Sequence, residues 1–427
     1  MIKVFNTLSG KKESLPERRP IRIFVCGPTV YDIPHIGHAR TYLAFDSIVK
    51  YLKSREIKTY YLQNITDIDD KIIRRADEQK IPALKLAKKF EKEYYLFEKT
   101  LGIKTDKHAR ATNHIKQIVK QVKILVKKRF AYKIENDGYY FDISAFPDYG
   151  KLSHRTALQA EDSTSRIDEN IQKKNKGDFC LWKFKKDAGE PSWKTGLGEG
   201  RPGWHIEDTA ITEYYFGPQY EIHGGGVDLK FPHHEAEIAQ QESASGKKPL
   251  AKIWMHTGSL LADGQKMSKS LHNFITVDDF LVKHSPKTLR LMILMNHYRS
   301  PFNFKEEIAE QANNSWKRIQ NFIYRLYGIK SKIPARGGQK SKISELINSA
   351  EKDFHSAMED DFNTPKALAA IFELINKAEI IIKQLNSGDA KKIAWFMLET
   401  LNSIGFKPDK KLKIPSQIDK KIKDSKI

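Results

Sequence analysis

Apolar runs and amphipathic segments alternate through the first hundred residues. The run IRIFVC at 21–26 has the composition of a buried strand and is followed by a Gly/Pro-rich turn. The next segment places Tyr42, Phe45 and Val49 on one helical face, and a second apolar run at 58–63 precedes another amphipathic segment. This order of strand, turn, helix and strand predicts the start of a parallel α/β sheet.

The same patterns divide the rest of the chain. Residues 111–195 have the pattern of an insertion with a helix, a hairpin and a polar stretch, and the α/β pattern returns over 196–285. Helical periodicity over 286–405 predicts an α-helical bundle, and the tail 406–427 carries eight lysines. We therefore expect an α/β domain in two halves, of which 1–110 is the first, with an insertion between them and a bundle after them.

Charge and composition indicate a partner class and a compartment. The 427 residues include 74 Lys+Arg and 53 Asp+Glu, a formal net charge of +21. This excess points to a polyanion such as nucleic acid, although a lysine-rich solvated surface would give the same balance. Two cysteines exclude a disulfide scaffold, and no apolar run approaches the ~20 residues of a membrane span. With no signal-peptide pattern at the start, we expect a cytoplasmic protein without a membrane segment.

Two histidines flank a glycine where the first strand-turn meets the first predicted helix. His35 and His38 stand on either side of Gly37 in the sequence PHIGH. A helix N-terminus offers unpaired N–H groups to phosphate, and imidazoles beside it can donate to oxygens that gain charge. The alternative is an ordinary capped helix whose histidines face solvent.

A lysine pair lies far downstream in a polar segment that follows Asp263 and Gly264. Lys266 and Lys269 of KMSKS are three residues apart, with Ser268 between them, and both can reach a triphosphate. This pattern alone is weak, but its combination with PHIGH in an α/β chain is a strong indication.

The pair HIGH and KMSKS is the signature by which class I aminoacyl-tRNA synthetases resemble one another. The surrounding sequence resembles the cysteinyl-tRNA synthetase family over about residues 20–370, in family order. The segments that carry this resemblance are VCGPTVYDIPHIGHART, NITDIDDKI, FPDYGKLS, DFCLWK, GRPGWHIE, HGGGVDLKFPHHEAEIAQ, DGQKMSKS and DDFNTPKAL. The resemblance implies a Rossmann-like class I catalytic domain with an insertion, followed by an α-helical bundle.

The resemblance also implies the activity and the residues that carry it. The enzyme would activate L-cysteine with ATP and Mg²⁺ to cysteinyl adenylate and pyrophosphate, and then transfer cysteine to the terminal adenosine of tRNA(Cys), as a monomer. The implied catalytic residues are His35, His38, Lys266 and Lys269; the ATP-binding residues are Gly37, Gly226, Asp228, His256 and Ser268; the cysteine pocket includes Thr66 and Trp204. Without the resemblance, Thr66 would be interpreted as a helix cap and Trp204 as a residue of the hydrophobic core.

A metal site follows partly from spacing and partly from the resemblance. His233 and Glu237 are four residues apart, so on a helix they share a face and could ligate one ion. The family adds Cys26 and a second cysteine after WHIE, but this chain has Asp208 there. Aspartate keeps the −1 charge and can ligate Zn²⁺, so we expect one zinc per chain. The rival hypothesis is a metal-poor site with degraded cysteine recognition.

Other departures from the family leave alternative functions open. Thr257 stands where an Asn is usual, His272 where a Gly is expected, and the bundle is followed by too few residues for the C-terminal anticodon module of bacterial members. One alternative is a ligase that joins cysteine to a small amine, as mycothiol-pathway ligases do. Another is a tRNA-binding protein that has lost catalysis. The intact motif pair and the basic charge favour the synthetase.

Overall fold

A computed structural model describes residues 1–155, 171–262, 264–266, 273–330 and 339–407, with no side-chain description for 266 and 339–341. Its central element is a five-stranded parallel sheet in the order β12-β11-β3-β4-β5. These strands are β3 (Ile21–Val25), β4 (Thr59–Ile65), β5 (Lys107–Arg110), β11 (Tyr220–Gly226) and β12 (Ala251–Thr257). Ile23 pairs with Ile222 on one side and Tyr61 on the other, so strands from both predicted halves form one sheet.

Helices cover this sheet because its central strands are apolar on both faces. Every residue of β3 is buried, as expected of a strand inside a parallel sheet. The helices of this part of the chain are α1 (Ile36–Ser54), α2 (Asp70–Gln79), α3 (Ala83–Leu101), α4 (Ile115–Lys127), α5 (Trp204–Phe216) and α6 (Glu235–Ser245). Phe45 of α1 lies so close to Gly224 that a Cβ there would be 2.3 Å from the ring. Glycine at this position therefore lets helix and strand pack in contact.

A second, antiparallel sheet interrupts the parallel one. Its strand order is β6-β7-β8-β10-β9, and the rings of Phe141 and Phe179 stack at 5.0 Å inside it. The strands are β6 (Ala131–Ile134), β7 (Gly138–Phe141), β8 (Phe179–Phe184), β9 (Trp193–Thr195) and β10 (Gly198–Pro202). The antiparallel sheet thus continues to Pro202, beyond residue 195 where the sequence pattern placed the end of the insertion.

Helices dominate the chain after the parallel sheet. They are α7 (Val277–Lys283), α8 (Pro286–Leu294), α9 (Glu306–Gly328), α10 (Gln339–Glu359), α11 (Thr364–Ile381) and α12 (Ser387–Ser403). Phe406, at the start of the lysine-rich tail, is buried, and its ring stacks on that of Trp316 at 5.0 Å. It therefore packs in the core of the bundle. The rest of the tail, 408–427, lies outside the described residues.

Two small sheets complete the described structure. A hairpin of β1 (Lys3–Asn6) and β2 (Lys11–Ser14), which the sequence pattern did not predict, packs against β12. The second contains β13 (Leu260–Ala262), β14 (Gln265–Lys266) and β15 (Phe302–Phe304). The predicted fold class is confirmed: an α/β domain with an insertion, followed by an α-helical bundle. Among the described helices we find none with the length and apolarity to cross a bilayer.

Candidate active site and metal centre

A cavity of about 350 Å³ opens where the parallel strands end. Its walls include Cys26 after β3, Thr66 after β4, Gly226 at the end of β11 and Thr257 at the end of β12. The carboxyl edge of such a sheet is where α/β folds bind ligands, because backbone groups and helix N-termini converge there. His35, Gly37, His38, Trp204, Asp208, Asp228 and His233 also line it. Most of the site residues predicted from sequence therefore share one cavity.

His35 and His38 form the N-terminal cap of α1, and both line the cavity. His35 is the N-cap of α1, where its Nδ1 accepts a hydrogen bond from the Gly37 N–H at 3.0 Å. The His35 N–H in turn donates to His38 Nδ1 at 3.2 Å, and the two rings stack at 3.9 Å. Because each Nδ1 accepts, each neutral ring carries its proton on Nε2 and can donate it.

Electrostatics keeps both histidines of the motif uncharged at neutral pH. Burial lowers the pKa of His35 to about 4, with a smaller opposing effect from Asp228. Burial, and then the neighbouring His35, hold the pKa of His38 well below its usual range. The helix N-terminus therefore presents two neutral N–H donors to the cavity, which suits phosphate oxygens.

The KMSKS segment lies mostly outside the described residues. Ser268 and Lys269 fall in the gap at 267–272, and of Lys266 only the backbone, in β14, is described. The chain that follows the motif is hydrogen-bonded to the HIGH turn: Ile36 N donates to Ile275 O and Val277 N to Pro34 O, both at 3.1 Å. Residues 275–277, downstream of the lysine motif, are thus anchored to the HIGH turn through the backbone.

Two further pocket residues are held by their neighbours. The Thr66 hydroxyl donates to the Glu207 carboxylate and accepts from the Asn64 amide at 3.2 Å. Trp204, the first residue of α5, stacks on the His233 ring at 4.3 Å. Both side chains are therefore fixed in the cavity wall next to the candidate metal ligands.

His256 lies under the cavity and does not line it. It is buried, with Nε2 at 2.8 Å from His234 Nδ1 and Nδ1 at 2.9 Å from Thr7 Oγ1. Both ring nitrogens are therefore engaged with protein groups, and its neighbour Thr257 faces the cavity instead. At the opposite wall, a Cβ on Gly226 would come within 2.5 Å of Asp228 Oδ1, so glycine leaves room for that carboxylate.

The four predicted metal ligands converge at the base of the cavity. Their ligand atoms all lie within 4.8 Å of one another, and all four residues are buried. His233 Nε2 is 3.0 Å from Asp208 Oδ2 and 2.9 Å from Glu237 Oε1, while Cys26 Sγ is 3.7 Å from Glu237 Oε1. Such a thiol, imidazole and carboxylate set is suited to Zn²⁺.

Unsatisfied polar atoms show that this cluster fits a cation. Asp208 Oδ1 and Glu237 Oε2 are buried and accept no hydrogen bond from the described residues. Burial, followed by Glu237 and Asp208, raises the pKa of the Cys26 thiol, and burial raises the pKa of Glu237 to about 7 against the opposing effect of His233. Burial of these anionic side chains without a counter-ion costs free energy, and a bound divalent cation offsets that cost.

Sequence reasoning missed a second set of imidazoles beside these ligands. His234 Nε2 is 3.1 Å and His223 Nε2 3.5 Å from Cys26 Sγ, and both rings are buried. His205 lies on the other side, with Nδ1 at 2.9 Å from His233 Nδ1. His223 could have been found from its position in HGGG, at the end of a predicted strand. His234 could have been found because it is adjacent in sequence to a predicted ligand, His233.

Comparison with known proteins decides the family. Residues 13–314 match the family of tRNA synthetases class I (C) catalytic domains, and residues 353–405 match the DALR domain. A cysteine–tRNA ligase of Thermococcus onnurineus (strain NA1) is 45% identical over 381 residues, 88% of this chain and 79% of that protein. The chain belongs to the cysteine–tRNA ligase family. Another such ligase, of Thermoplasma volcanium, is 46% identical over 401 residues, 92% of this chain and 86% of that protein.

Solved structures support the fold of a cysteine–tRNA ligase family member. Methionyl-tRNA synthetase of Mycobacterium tuberculosis, in complex with methionyl-adenylate, superposes with a TM-score of 0.67 at 15% identity, covering 91% of this chain and 90% of that one. The LeuRS–tRNA–LeuAMS complex of Agrobacterium radiobacter K84 also gives 0.67, at 10% identity and covering 91% and 85%. The family and the fold establish an ATP-dependent class I aminoacyl-tRNA synthetase.

Proposed function

We propose that this enzyme activates L-cysteine with ATP and transfers it to the 3′-terminal adenosine of tRNA(Cys). The observation that carries the proposal is the convergence of Cys26, Asp208, His233 and Glu237 in the same cavity as His35 and His38. A thiol-selective centre then lies beside the phosphate-binding helix N-terminus. Relatives named cysteine–tRNA ligase support this substrate pair.

We propose Zn²⁺ as the metal of this enzyme, held by Cys26, Asp208, His233 and Glu237 while the cavity holds the cysteine substrate. The donor set and the two unpartnered carboxylate oxygens support it. When bound, Zn²⁺ supplies a position that favours a thiolate over the hydroxyl of serine, because it binds soft sulfur strongly. Trp204 and Thr66 then form the wall that orients the amino acid, and Asp208 in place of a cysteine leaves Cys26 as the only protein thiolate of this set.

In the first step, the cysteine carboxylate attacks the α-phosphorus of ATP and pyrophosphate leaves. The Nε2–H groups of His35 and His38 donate to phosphate oxygens that gain charge, and Lys266 and Lys269 neutralise the leaving pyrophosphate with Mg²⁺. Gly37, next to the α1 N-terminus, and Ser268 contact the phosphates, while Gly226 and Asp228 hold the ribose. His256 acts from beneath the cavity by fixing His234. Catalysis consists mainly of positioning and electrostatics, and we assign no protein base.

In the second step, the 2′-OH of the terminal adenosine attacks the adenylate carbonyl and AMP leaves. The charge of +21 and the DALR match at residues 353–405 support tRNA as the acceptor over a small amine. We further propose a cytoplasmic monomer with the domain division 1–110, 111–195, 196–285, 286–405 and 406–427, in which the sheet of the insertion extends to Pro202 and Phe406 packs with the bundle.

Charging of tRNA(Cys) with radiolabelled cysteine tests this function. We expect acid-precipitable cysteinyl-tRNA that depends on ATP, with serine giving at least a hundredfold less product. Amine ligase activity would instead give pyrophosphate exchange without charging, and a non-catalytic RNA-binding protein would give neither. A His38→Ala variant serves as the control for contaminating synthetase, because it removes a donor from the site.

A further inference from the structure

A second group of four ligands lies directly beneath the first and shares two members with it. Cys26, His223, His234 and Glu237 place their ligand atoms within 4.8 Å of one another. Cys26 Sγ is 3.1 Å from His234 Nε2 and 3.5 Å from His223 Nε2, and His223 Nε2 is 3.2 Å from Glu237 Oε2. Ligands of a tetrahedral zinc ion are about 3.3–3.7 Å apart when its bonds are ~2.0–2.3 Å long, so this spacing is close to that of a metal site.

The two groups use different oxygens of the shared carboxylate. Glu237 Oε1 is 2.9 Å from His233 Nε2, whereas Oε2 faces His223. Glu237 Oε2 is also a buried atom that accepts no hydrogen bond from the described residues. One carboxylate can therefore serve either group, through Oε1 towards His233 or through Oε2 towards His223.

Outer hydrogen bonds turn both lower imidazoles towards the thiol. His223 Nδ1 is 2.6 Å from the Tyr220 hydroxyl, and His234 Nδ1 is 2.8 Å from His256 Nε2. Rings with one nitrogen engaged and the other facing the cluster are oriented as metal-binding histidines are.

Access to the cavity and charge distinguish the two positions. Cys26, Asp208 and His233 line the cavity, whereas His223, His234 and Glu237 do not. Of the four residues that would hold an ion in the lower position, only Cys26 reaches the cavity. A thiolate, a carboxylate and two neutral imidazoles balance the +2 charge of the ion, as a buried site requires. Asp208 then keeps His233 as its partner, at 3.0 Å.

We propose that Cys26, His223, His234 and Glu237 form a second, closed zinc position, occupied by the single ion when the cavity holds no thiol. Sharing of Cys26 and Glu237 makes the two positions alternatives for one ion. Arrival of a thiol then draws the ion to the upper position, where Asp208 and His233 replace His223 and His234. This last step rests on the proposed function, but the existence of the closed position does not.

Zinc K-edge X-ray absorption on the full wild-type chain tests the proposal without a variant. Without L-cysteine, we expect one sulfur and two imidazoles around zinc. With saturating L-cysteine, we expect two sulfurs and one imidazole. A single imidazole in the absence of cysteine would overturn the closed position, and two imidazoles both with and without cysteine would overturn the movement.

Two variants provide matched readouts. Asp208→Ala removes a ligand of the upper position only, so zinc affinity without cysteine should change less than about threefold and the two-imidazole signal should persist. Loss of a ligand from a single fixed site would instead cost at least 10–100-fold in affinity.

His223→Ala should convert the cysteine-free spectrum to one imidazole. If tRNA is not charged but the cysteine-free spectrum shows two imidazoles, the proposed substrate is refuted and the closed zinc position is still supported.

Discussion

Asp208 Oδ2 lies 3.0 Å from His233 Nε2, at the base of the cavity and at the position where the family has a cysteine. The other oxygen of Asp208 is buried and accepts no hydrogen bond from the described residues, so the carboxylate is free to act as a metal ligand there. We predict that Asp208→Cys keeps one zinc per chain, because thiolate and carboxylate carry the same charge. In the cysteine-bound state, X-ray absorption should show three sulfurs around zinc where the parent shows two. An unchanged sulfur count would exclude residue 208 as a ligand.

The imidazole of His38 accepts from the His35 backbone and leaves its Nε2–H for a phosphate. We predict that His38→Ala lowers the rate of cysteine-dependent pyrophosphate exchange by about 10²–10³-fold, the cost of removing one donor to developing charge. Circular dichroism should be unchanged. His355→Ala, at a partly buried histidine that contacts Tyr51 in α1, is the matched control and should exchange at the parent rate. Equal rates in both variants would contradict the phosphate-binding role.

Acid should destabilise the fold through His35. Its pKa is lowered by burial to about 4 in the folded chain, against 6.5 for an unperturbed histidine. The unfolded chain therefore binds the proton first, so the stabilisation is complete above pH 6.5 and is lost as the pH falls towards 4. His35→Asn keeps an N-cap acceptor, its side-chain oxygen in place of Nδ1, but does not titrate. Between pH 7 and pH 5, the free energy of unfolding by urea should fall about 2 kcal/mol further in the parent than in this variant. Parallel pH profiles would contradict the shift.

One buried carboxylate joins the bundle to the catalytic region. Asp361 accepts from the Phe5 N–H at 2.8 Å, the Tyr298 hydroxyl at 2.7 Å and the Arg299 guanidinium at 2.6 Å. Asp361→Ala leaves these donors unpaired, and we predict a loss of about 3–5 kcal/mol in the free energy of unfolding.

The neighbouring Asp360 gives the control for this prediction. It is largely exposed and pairs with Lys12 at the surface, so Asp360→Ala should cost less than about 1 kcal/mol. Thermal or urea unfolding of the two variants, measured side by side, checks the difference. Equal losses would mean that Asp361 does not hold the bundle to the catalytic region.

The upper metal group was predictable from sequence, whereas the lower one was not. His233 and Glu237 are four residues apart on one local segment, and the resemblance supplied Cys26 and position 208. His223 joins them only because β11 pairs with β3, setting Ile222 beside Ile23 across about 200 residues of chain. Periodicity predicts that each strand forms, but the order of strands in the sheet decides which strand ends meet.

Two other features of the site also depended on tertiary contacts. The sequence placed His256 at the nucleotide, but the ring turns down to His234 and Thr7 because the hairpin β1–β2 packs under β12. That hairpin had too few apolar residues to be predicted. The capping contacts of His35 and His38 were not predictable either, since the sequence presents a helix cap and a phosphate-binding site as alternatives at the same position.

The proposed function requires that this site activate cysteine at a metal centre that contains Asp208. Cysteine-dependent ATP–pyrophosphate exchange, with bound zinc quantified on the same purified sample, measures both properties at once. We predict exchange that requires cysteine, is not supported by serine, and accompanies about one zinc per chain. Exchange without zinc would contradict the metal centre, and zinc without exchange would contradict the activity.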